Sequence, residues 1–205
     1  MTKLLFIKGS PRGKESKSNA LARQYIEKLQ AKQPEIIVEE IDLWQANLPE
    51  FDGDKSAAKM TFFGVGEMNA QKQSAWDDVV EICQKFIQAD HYVISAPMWN
   101  GGISYKLKQY IDIVTQPGLL FGFAPDTGYS GLLENKKATV FYTSGVYAPN
   151  VDAKYGSDYH STYLSWWLDM IGVQDVESIR FQPSLLTADA EADFEKVKLS
   201  VQNLR

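Results

Sequence analysis

The sequence contains only one cysteine and two histidines. With Cys83 as the single thiol, no disulfide can form within the chain. His91 and His160 are far apart in sequence, so no zinc-ligand spacing is present and we predict no metal site. Cys83 lies in a segment whose apolar residues recur at helical spacing, which predicts a buried structural thiol rather than a reactive one.

Long apolar runs and blocks of like charge are also missing. No apolar stretch reaches the length of a membrane span or of a signal-peptide core, so we expect a cytoplasmic protein that does not enter a membrane. The 21 basic and 26 acidic residues are interspersed and leave a net charge of −5, so we expect no nucleic-acid partner. The 205 residues, 44% of them hydrophobic, are enough for one domain with one sizeable core.

Apolar patterning predicts strands and helices that alternate along the chain. The predicted strands are residues 3–8, 36–41, 92–95, 137–144 and 175–181. The predicted helices lie around residues 21–29, 76–88, 103–114, 159–171 and 189–204. This alternation predicts an α/β fold, in which an open parallel sheet is covered by helices on both faces.

Two segments interrupt the alternation. Residues 43–75 are rich in glycine, proline and polar side chains, and a loop of this length inside a compact domain is usually functional or partly helical. Residues 118–134 combine glycines with aromatic side chains, which is typical of a hairpin or a lid. We expect both segments to border an active site.

Three unusual loops follow predicted strands. The first loop, residues 9–19, reads GSPRGKESKSN; the second, residues 96–106, reads APMWNGGISYK; the third, residues 143–147, reads TSGVY. In open parallel sheets, ligands bind beyond the carboxyl ends of the strands. If the first, third and fourth strands are adjacent, these loops form one cleft that would fit a planar heterocycle with a phosphate tail.

The first loop precedes a helix, whose N-terminus favours an anion such as phosphate. Ser16 and Ser18 are also ordinary N-cap residues, so the loop could serve only to cap the helix. Neither the GxGxxG pattern nor the GxxxxGK[ST] pattern is present, which favours one phosphate over two or three. The glycines of the second and third loops have a structural alternative too, since strand-to-helix turns often need them.

Taken together, SPRGKESKSN, APMWNGGISYKLKQYID, TSG and the segment PGLLFGF resemble the family of FMN-dependent NADH azoreductases and NAD(P)H quinone oxidoreductases. The resemblance covers nearly the whole chain. It implies a flavodoxin-like three-layer sandwich with a five-stranded parallel sheet, forming a single FMN-binding domain over residues 1–205. It also implies a homodimer that takes NADH or NADPH as electron donor and reduces quinones or azo compounds.

The resemblance assigns roles to individual positions. The residues implied to hold the FMN phosphate are Ser10, Ser16, Lys17 and Ser18. Those implied to lie along the isoalloxazine ring are Pro97, Met98, Trp99, Asn100 and Gly101, with Ser144 and Gly145 at its pyrimidine end. The expected walls of the substrate pocket are Phe51, Phe62, Phe63, Phe121 and Phe123.

The chain departs from the family pattern in two of these loops. The family commonly has S-R-G-G in the third loop, where this chain has Ser144-Gly145-Val146-Tyr147, and a tyrosine is commoner at the position of Trp99. We expect flavin binding to survive both changes. The nicotinamide contacts and the substrate range are the properties that they affect.

Because hydride and electron transfer belong to the flavin, no side-chain nucleophile or carboxylate pair is required. We expect a ping-pong cycle, in which NAD(P)H passes a hydride to FMN and leaves before a quinone or an azo compound takes its place. His160 is a candidate proton donor. The alternatives are a flavodoxin-type electron carrier, which uses a T-x-T-G-x-T loop that this chain lacks, and a slow-turnover redox-sensing flavoprotein.

Overall fold

A five-stranded parallel sheet forms the centre of the computed structural model, which describes residues 1–204. The strands are β1 (Lys3–Lys8), β2 (Ile37–Asp42), β3 (His91–Pro97), β4 (Phe121–Ala124), β5 (Gly128–Gly131), β6 (Lys137–Thr143) and β7 (Asp175–Phe181). The central sheet has the order β2-β1-β3-β6-β7, and β4 and β5 form a separate antiparallel hairpin. β1, β3 and β6 are therefore adjacent, as a shared cleft requires.

The helices cover both faces of this sheet. They are α1 (Lys17–Lys32), α2 (Gly53–Thr61), α3 (Ala70–Gln88), α4 (Tyr105–Val114), α5 (Ser161–Met170) and α6 (Ala190–Asn203). α1 and α6 pack on one face, and α3, α4 and α5 pack on the other. The predicted α/β fold, with a flavodoxin-like three-layer arrangement, is confirmed.

The side chains of β1 show why two helical layers are needed. Leu4 and Phe6 join the apolar cluster on the α1 face, whereas Leu5 and Ile7 join the cluster on the opposite face. Successive side chains of a strand point to opposite faces of a sheet, so a run of apolar residues needs cover on both. The continuous apolar run that predicted β1 therefore also explains why helices cover both faces of the sheet.

The long segment after β2 contains more helix than the sequence pattern predicted. α2 begins after Asp52, whose carboxylate accepts a hydrogen bond from the Lys55 N–H at 3.1 Å. α3 begins at Ala70 rather than near residue 76, after Asn69 caps it by accepting from the Lys72 N–H at 2.9 Å. Both N-terminal turns are mostly polar, although Lys55 in the first turn of α2 is buried, so they carry little of the apolar period on which the prediction rested.

Cys83 is fully buried in α3, where its thiol donates to the Ile113 and Val114 carbonyl oxygens at 3.6 and 3.4 Å. Burial raises the pKa of Cys83 to about 12, so the thiol stays protonated at neutral pH. The prediction of a structural cysteine is confirmed. Among the helices within residues 1–204, none combines the length and the hydrophobicity that a membrane crossing needs.

Candidate active site

The three loops meet at one edge of the sheet, the carboxyl edge, where β1, β3 and β6 end. A cavity of about 300 Å³ lies between them, and a second cavity of about 490 Å³ adjoins it. The predicted residues that line the first cavity are Ser10, Ser16, Lys17, Pro97, Met98, Trp99, Ser144 and Gly145. Asn100 and Gly101 line the second cavity, so the cleft brings together most of the predicted site, at a size usual for small-molecule sites.

The first loop leads into the N-terminus of α1. Ser16 is the N-cap, and its Oγ accepts a hydrogen bond from the Asn19 N–H at 3.2 Å. Ser18 is also buried and lies behind Ser16, with their hydroxyl oxygens 3.2 Å apart. Ser10 is buried as well and faces the cavity. Ser16 therefore caps α1, as one interpretation of the loop predicted. The same loop also places buried hydroxyls and the positive end of the helix dipole beside the cavity.

The ammonium group of Lys17, which was predicted to hold a phosphate, contacts α6 in the structure. Its Nζ lies 3.0 Å from the Glu191 carboxylate and 4.0 Å from the centre of the Phe194 ring. Lys17 lines the cavity, but its ammonium group is engaged by α6. Arg12 lines the cavity too and pairs with Glu15 at 3.6 Å on the exposed outer side of the loop.

The second loop contains a tight turn over residues 99–102. Trp99 and Gly102 exchange backbone hydrogen bonds of 2.8 and 2.9 Å, and the two central residues, Asn100 and Gly101, have φ values of 49° and 85°. Positive φ at both central positions defines a type I′ turn, for which Asn-Gly is the favoured sequence. The Asn-Gly pair is thus a sequence signal that predicts this turn.

The indole of Trp99 is about one-third exposed and stands beside the cavity. Its ring centre lies 5.4 Å from that of Trp44 and 6.0 Å from that of Tyr105. Trp44 follows β2 and was not among the residues predicted at the site. Both aromatic residues of the second loop, Trp99 and Tyr105, therefore form a three-ring cluster with Trp44.

The third loop is held by a segment that follows β7. The Ser144 carbonyl oxygen accepts hydrogen bonds from the Ser184 N–H at 3.0 Å and from its hydroxyl at 3.1 Å. The Gly145 carbonyl accepts from the Leu185 N–H at 2.7 Å. Leu185 lines both cavities, so this segment is a fourth wall of the cleft that the sequence did not reveal. A Cβ on Gly145 would lie 2.9 Å from Leu185 Cδ1, the end of an exposed side chain that has room to move aside.

The predicted phenylalanine walls do not line these two cavities. Phe62, Phe63, Phe121 and Phe123 line a different cavity of about 360 Å³ beside the β4–β5 hairpin, and Phe51 lines another of about 370 Å³. The aromatic residues that do line the cavity of about 490 Å³ are Tyr147, Tyr155 and Tyr159, from the segment between β6 and α5. Tyr147 belongs to the third loop and Tyr159 begins the predicted helix of residues 159–171, but neither was predicted to line the site, and Tyr155 lies between them where the sequence shows no periodic pattern.

His160 lies at the start of α5 and is fully buried. Among residues 1–204, neither of its ring nitrogens has a hydrogen-bond partner of normal geometry, and the ring meets Tyr142 edge-on at 5.0 Å. Burial lowers the pKa of His160 to about 4, and the neighbouring Ala96 carbonyl and Asp158 offset this only in part. His160 is therefore neutral at pH 7 and shielded from both cavities.

The model of a protein family described as having a flavodoxin-like fold matches residues 2–204 of the chain. The chain belongs to this family. Among curated proteins, the chain is 58% identical to an FMN-dependent NADH:quinone oxidoreductase of Ruegeria pomeroyi over 96% of both chains. It is 39% identical to a protein of the same name from Desulfotalea psychrophila, over 90% of this chain and 87% of the relative.

A solved structure is similar over almost the whole fold. An FMN-dependent NADH-azoreductase from Bacillus anthracis, crystallised in complex with FMN, superimposes with a TM-score of 0.86 at 25% identity. The superposition covers 98% of this chain and 97% of that one. The resemblance to the azoreductase and quinone oxidoreductase family that the sequence suggested is confirmed.

Proposed function

We propose that the chain is an FMN-dependent NADH:quinone oxidoreductase that also reduces aromatic azo compounds. The observation that carries the proposal is the convergence of the three loops on one cleft. This cleft belongs to a chain that is 58% identical, over 96% of its length, to a relative named for that activity. The donor in the relatives' names is NADH, and we propose NADH as donor here, with NADPH as the alternative.

The residues around the cleft fit FMN by their chemistry. Ser10 and Ser16 present buried hydroxyls at the N-terminus of a 16-residue helix, which suits a phosphate. The backbone and side chains of residues 97–101 offer a wall for a flat ring. The carbonyl groups of Ser144 and Gly145 accept hydrogen bonds from the segment after β7. We propose that the N–H groups of these two residues donate to the electron-rich edge of a reduced ring.

Bound FMN would supply hydride transfer from the nicotinamide to the quinone or azo acceptor, and we propose that donor and acceptor occupy the same space one after the other. The chain's own task is to orient these molecules and to exclude water. The cavity of about 490 Å³ beside Asn100, with Tyr155 and Tyr159 on its outer wall, is the space we assign to both substrates. We do not include His160 as a proton donor, because it is buried and neutral.

We further propose that residues 1–205 act as one domain and that two copies form a homodimer. Half-exposed phenylalanines on the surface near the hairpin support a dimer, because a monomer rarely leaves such rings together in contact with water. We also propose a cytoplasmic location without nucleic-acid or membrane partners, which the proposed use of NADH and the dispersed charge support.

One experiment tests the proposed activity against its rivals. The purified protein is examined for a visible flavin spectrum, reduced with NADH without oxygen, and then mixed with a quinone or an azo dye. We expect bleaching by NADH and rapid recovery on adding the acceptor. An unchanged spectrum with NADH would exclude the reductase, and bleaching without recovery would favour a redox sensor. Parallel reductions with NADPH decide the preferred donor.

A further inference from the structure

Trp44 connects two walls of the cleft without lining either of the two site cavities. Its indole N–H donates a hydrogen bond of 3.0 Å to the Gly9 carbonyl oxygen, at the start of the first loop. Its own backbone N–H donates to the Asp42 carboxylate at 3.1 Å, which fixes the residue at the end of β2. Trp44 therefore reaches the first loop from a firmly held position.

Gly9 is a fixed point from which the first loop departs. Its carbonyl oxygen also accepts the Ser104 hydroxyl at 3.1 Å, and its N–H donates to the Ser95 carbonyl oxygen at 3.1 Å. A Cβ on Gly9 would lie only 2.4 Å from the Ser95 carbonyl oxygen, so the backbones approach too closely for any other residue. Ser10, which lines the cavity, is the next residue in the chain.

The other face of Trp44 contacts the second loop. Its ring centre lies 5.4 Å from that of Trp99 at an interplanar angle of 38°, and Tyr105 meets Trp44 edge-on at 5.2 Å. Aromatic pairs in this range of distance and tilt gain energy beyond the area they bury, and they prefer a limited set of geometries. The position of Trp44 therefore limits the orientations that the Trp99 indole can adopt.

We propose that Trp44 is a positioning residue that sets the spacing between the phosphate wall and the ring wall of the cleft. Its N–H holds the first loop through Gly9, and its ring holds Trp99. The inference rests on the proposed function for the identity of the ligand, but its geometric part concerns only residues of this chain. A single side chain at the end of β2 thus controls two loops that are far apart in sequence.

The decisive variant is Trp44→Phe, which keeps an aromatic ring but removes the N–H donor. We expect FMN to bind about two- to tenfold more weakly, as for the loss of one neutral hydrogen bond. We also expect the circular dichroism that arises from coupling between the Trp44 and Trp99 indoles to disappear in the flavin-free protein. The matched control is Trp166→Phe, since Trp166 is about half exposed on α5 and outside the cluster.

The outcomes separate this inference from the proposed function. If the wild-type protein binds no FMN, the proposed function fails, while the dichroism still tests the contact between Trp44 and Trp99. If FMN binds equally well to the wild type, to Trp44→Phe and to Trp166→Phe, the positioning role is overturned. Should Trp44→Phe not fold, Trp99→Phe replaces it for the dichroism, and loss of the same band supports the contact whereas retention rejects it.

A second substitution, at the other residue whose side chain donates to the Gly9 carbonyl oxygen, tests whether Trp44 acts through Gly9. Ser104→Ala removes the other side-chain donor to the Gly9 carbonyl, and it also weakens the cap of α4. If both donors hold the first loop, the double variant with Trp44→Phe loses more FMN affinity than the product of the two single effects, because the last donor on a buried carbonyl has then gone. Independent effects would show that Trp44 does not act through Gly9.

Discussion

The carboxyl edge of the sheet and the surface beside the hairpin differ in how they use unusual residues. At the carboxyl edge, small polar side chains such as Ser10, Ser16 and Ser144 are almost fully buried around a shared cleft. On the aromatic surface, formed by Phe62, Phe63, Trp76, Phe121 and Phe123, three of the rings are about half exposed. The first region encloses a cleft with buried polar side chains, whereas the second exposes apolar rings on the surface.

The difference has a topological cause. Parallel strands end on the same side, so the loops that follow adjacent strands must meet whatever their sequences are. The hairpin and α2 have no such constraint, and their aromatic residues collect where their apolar area is only partly covered. In this chain, buried serines line the candidate site, whereas the predicted phenylalanines lie outside its two cavities.

The largest expected effect concerns the buried serines at the carboxyl edge of the sheet. Replacing Ser10 and Ser16 together by alanine should weaken FMN at least about a hundredfold, since two hydrogen bonds to a charged phosphate are worth roughly 3–6 kcal/mol. The measurement is flavin titration of the apoprotein by fluorescence. Asn69→Ala is the control, because it also removes a helix N-cap but lies at the start of α3. An equal loss in both variants would contradict a phosphate site at α1.

The second effect concerns acid stability. Burial lowers the pKa of His91 to about 3 and that of His160 to about 4, whereas both titrate near 6.5 when unfolded. The unfolded chain therefore binds more protons below pH 6.5, and stability falls as the pH is lowered, by roughly 1.4 kcal/mol per histidine and pH unit. Urea unfolding between about pH 7 and 5, where the carboxylates remain ionised, measures this slope.

The variant His160→Phe separates the contribution of His160 to this pH dependence from that of His91, which begins β3. We expect this variant to halve the slope and to leave stability at pH 7 close to the wild-type value, because the ring contact with Tyr142 is kept. His91 retains its bond to the Thr139 hydroxyl at 2.9 Å in this variant. An unchanged slope would show that His160 titrates normally in the folded state.

A smaller effect compares glycines in the two regions. Gly9→Ala should destabilise the fold by about 1–3 kcal/mol, because its Cβ would collide with the Ser95 carbonyl oxygen at 2.4 Å. Gly53→Ala, at the start of α2, meets no atom within 4 Å and should stabilise by up to about 1 kcal/mol. Thermal unfolding of both variants checks the signs. If Gly9→Ala is as stable as the wild type, the close backbone contact at Gly9 does not hold the first loop in place.

The smallest expected change in flavin binding comes from the aromatic surface. Phe123→Ser should leave the affinity for FMN within about twofold of wild type, because Phe123 lies outside the two site cavities. The same variant should weaken the proposed homodimer, which sedimentation at decreasing protein concentration measures. A large loss of flavin affinity would show that the hairpin reaches the cleft.

Particular residues show how far the sequence could predict the site. The first loop was predicted from local chemistry, because Ser16 must cap the helix that it precedes and an anion favours the same position. The phenylalanines were expected at the substrate pocket from their number and neighbourhood, yet the structure places them in other cavities. A local sequence pattern indicates the chemistry available to a residue, but it does not show which distant segment of the chain the residue contacts.

By itself, the sequence determined the alternation of strands and helices, the burial of Cys83 and the concentration of polar residues at the three loops. These follow from side-chain period and backbone preference, which act over a few residues. Only the tertiary structure decided that Trp44 would reach Gly9, 35 residues away, and that Ser184 would hold Ser144, 40 residues away. Such contacts arise from the order of the strands in the sheet, because neighbouring strand ends place remote segments within hydrogen-bonding distance.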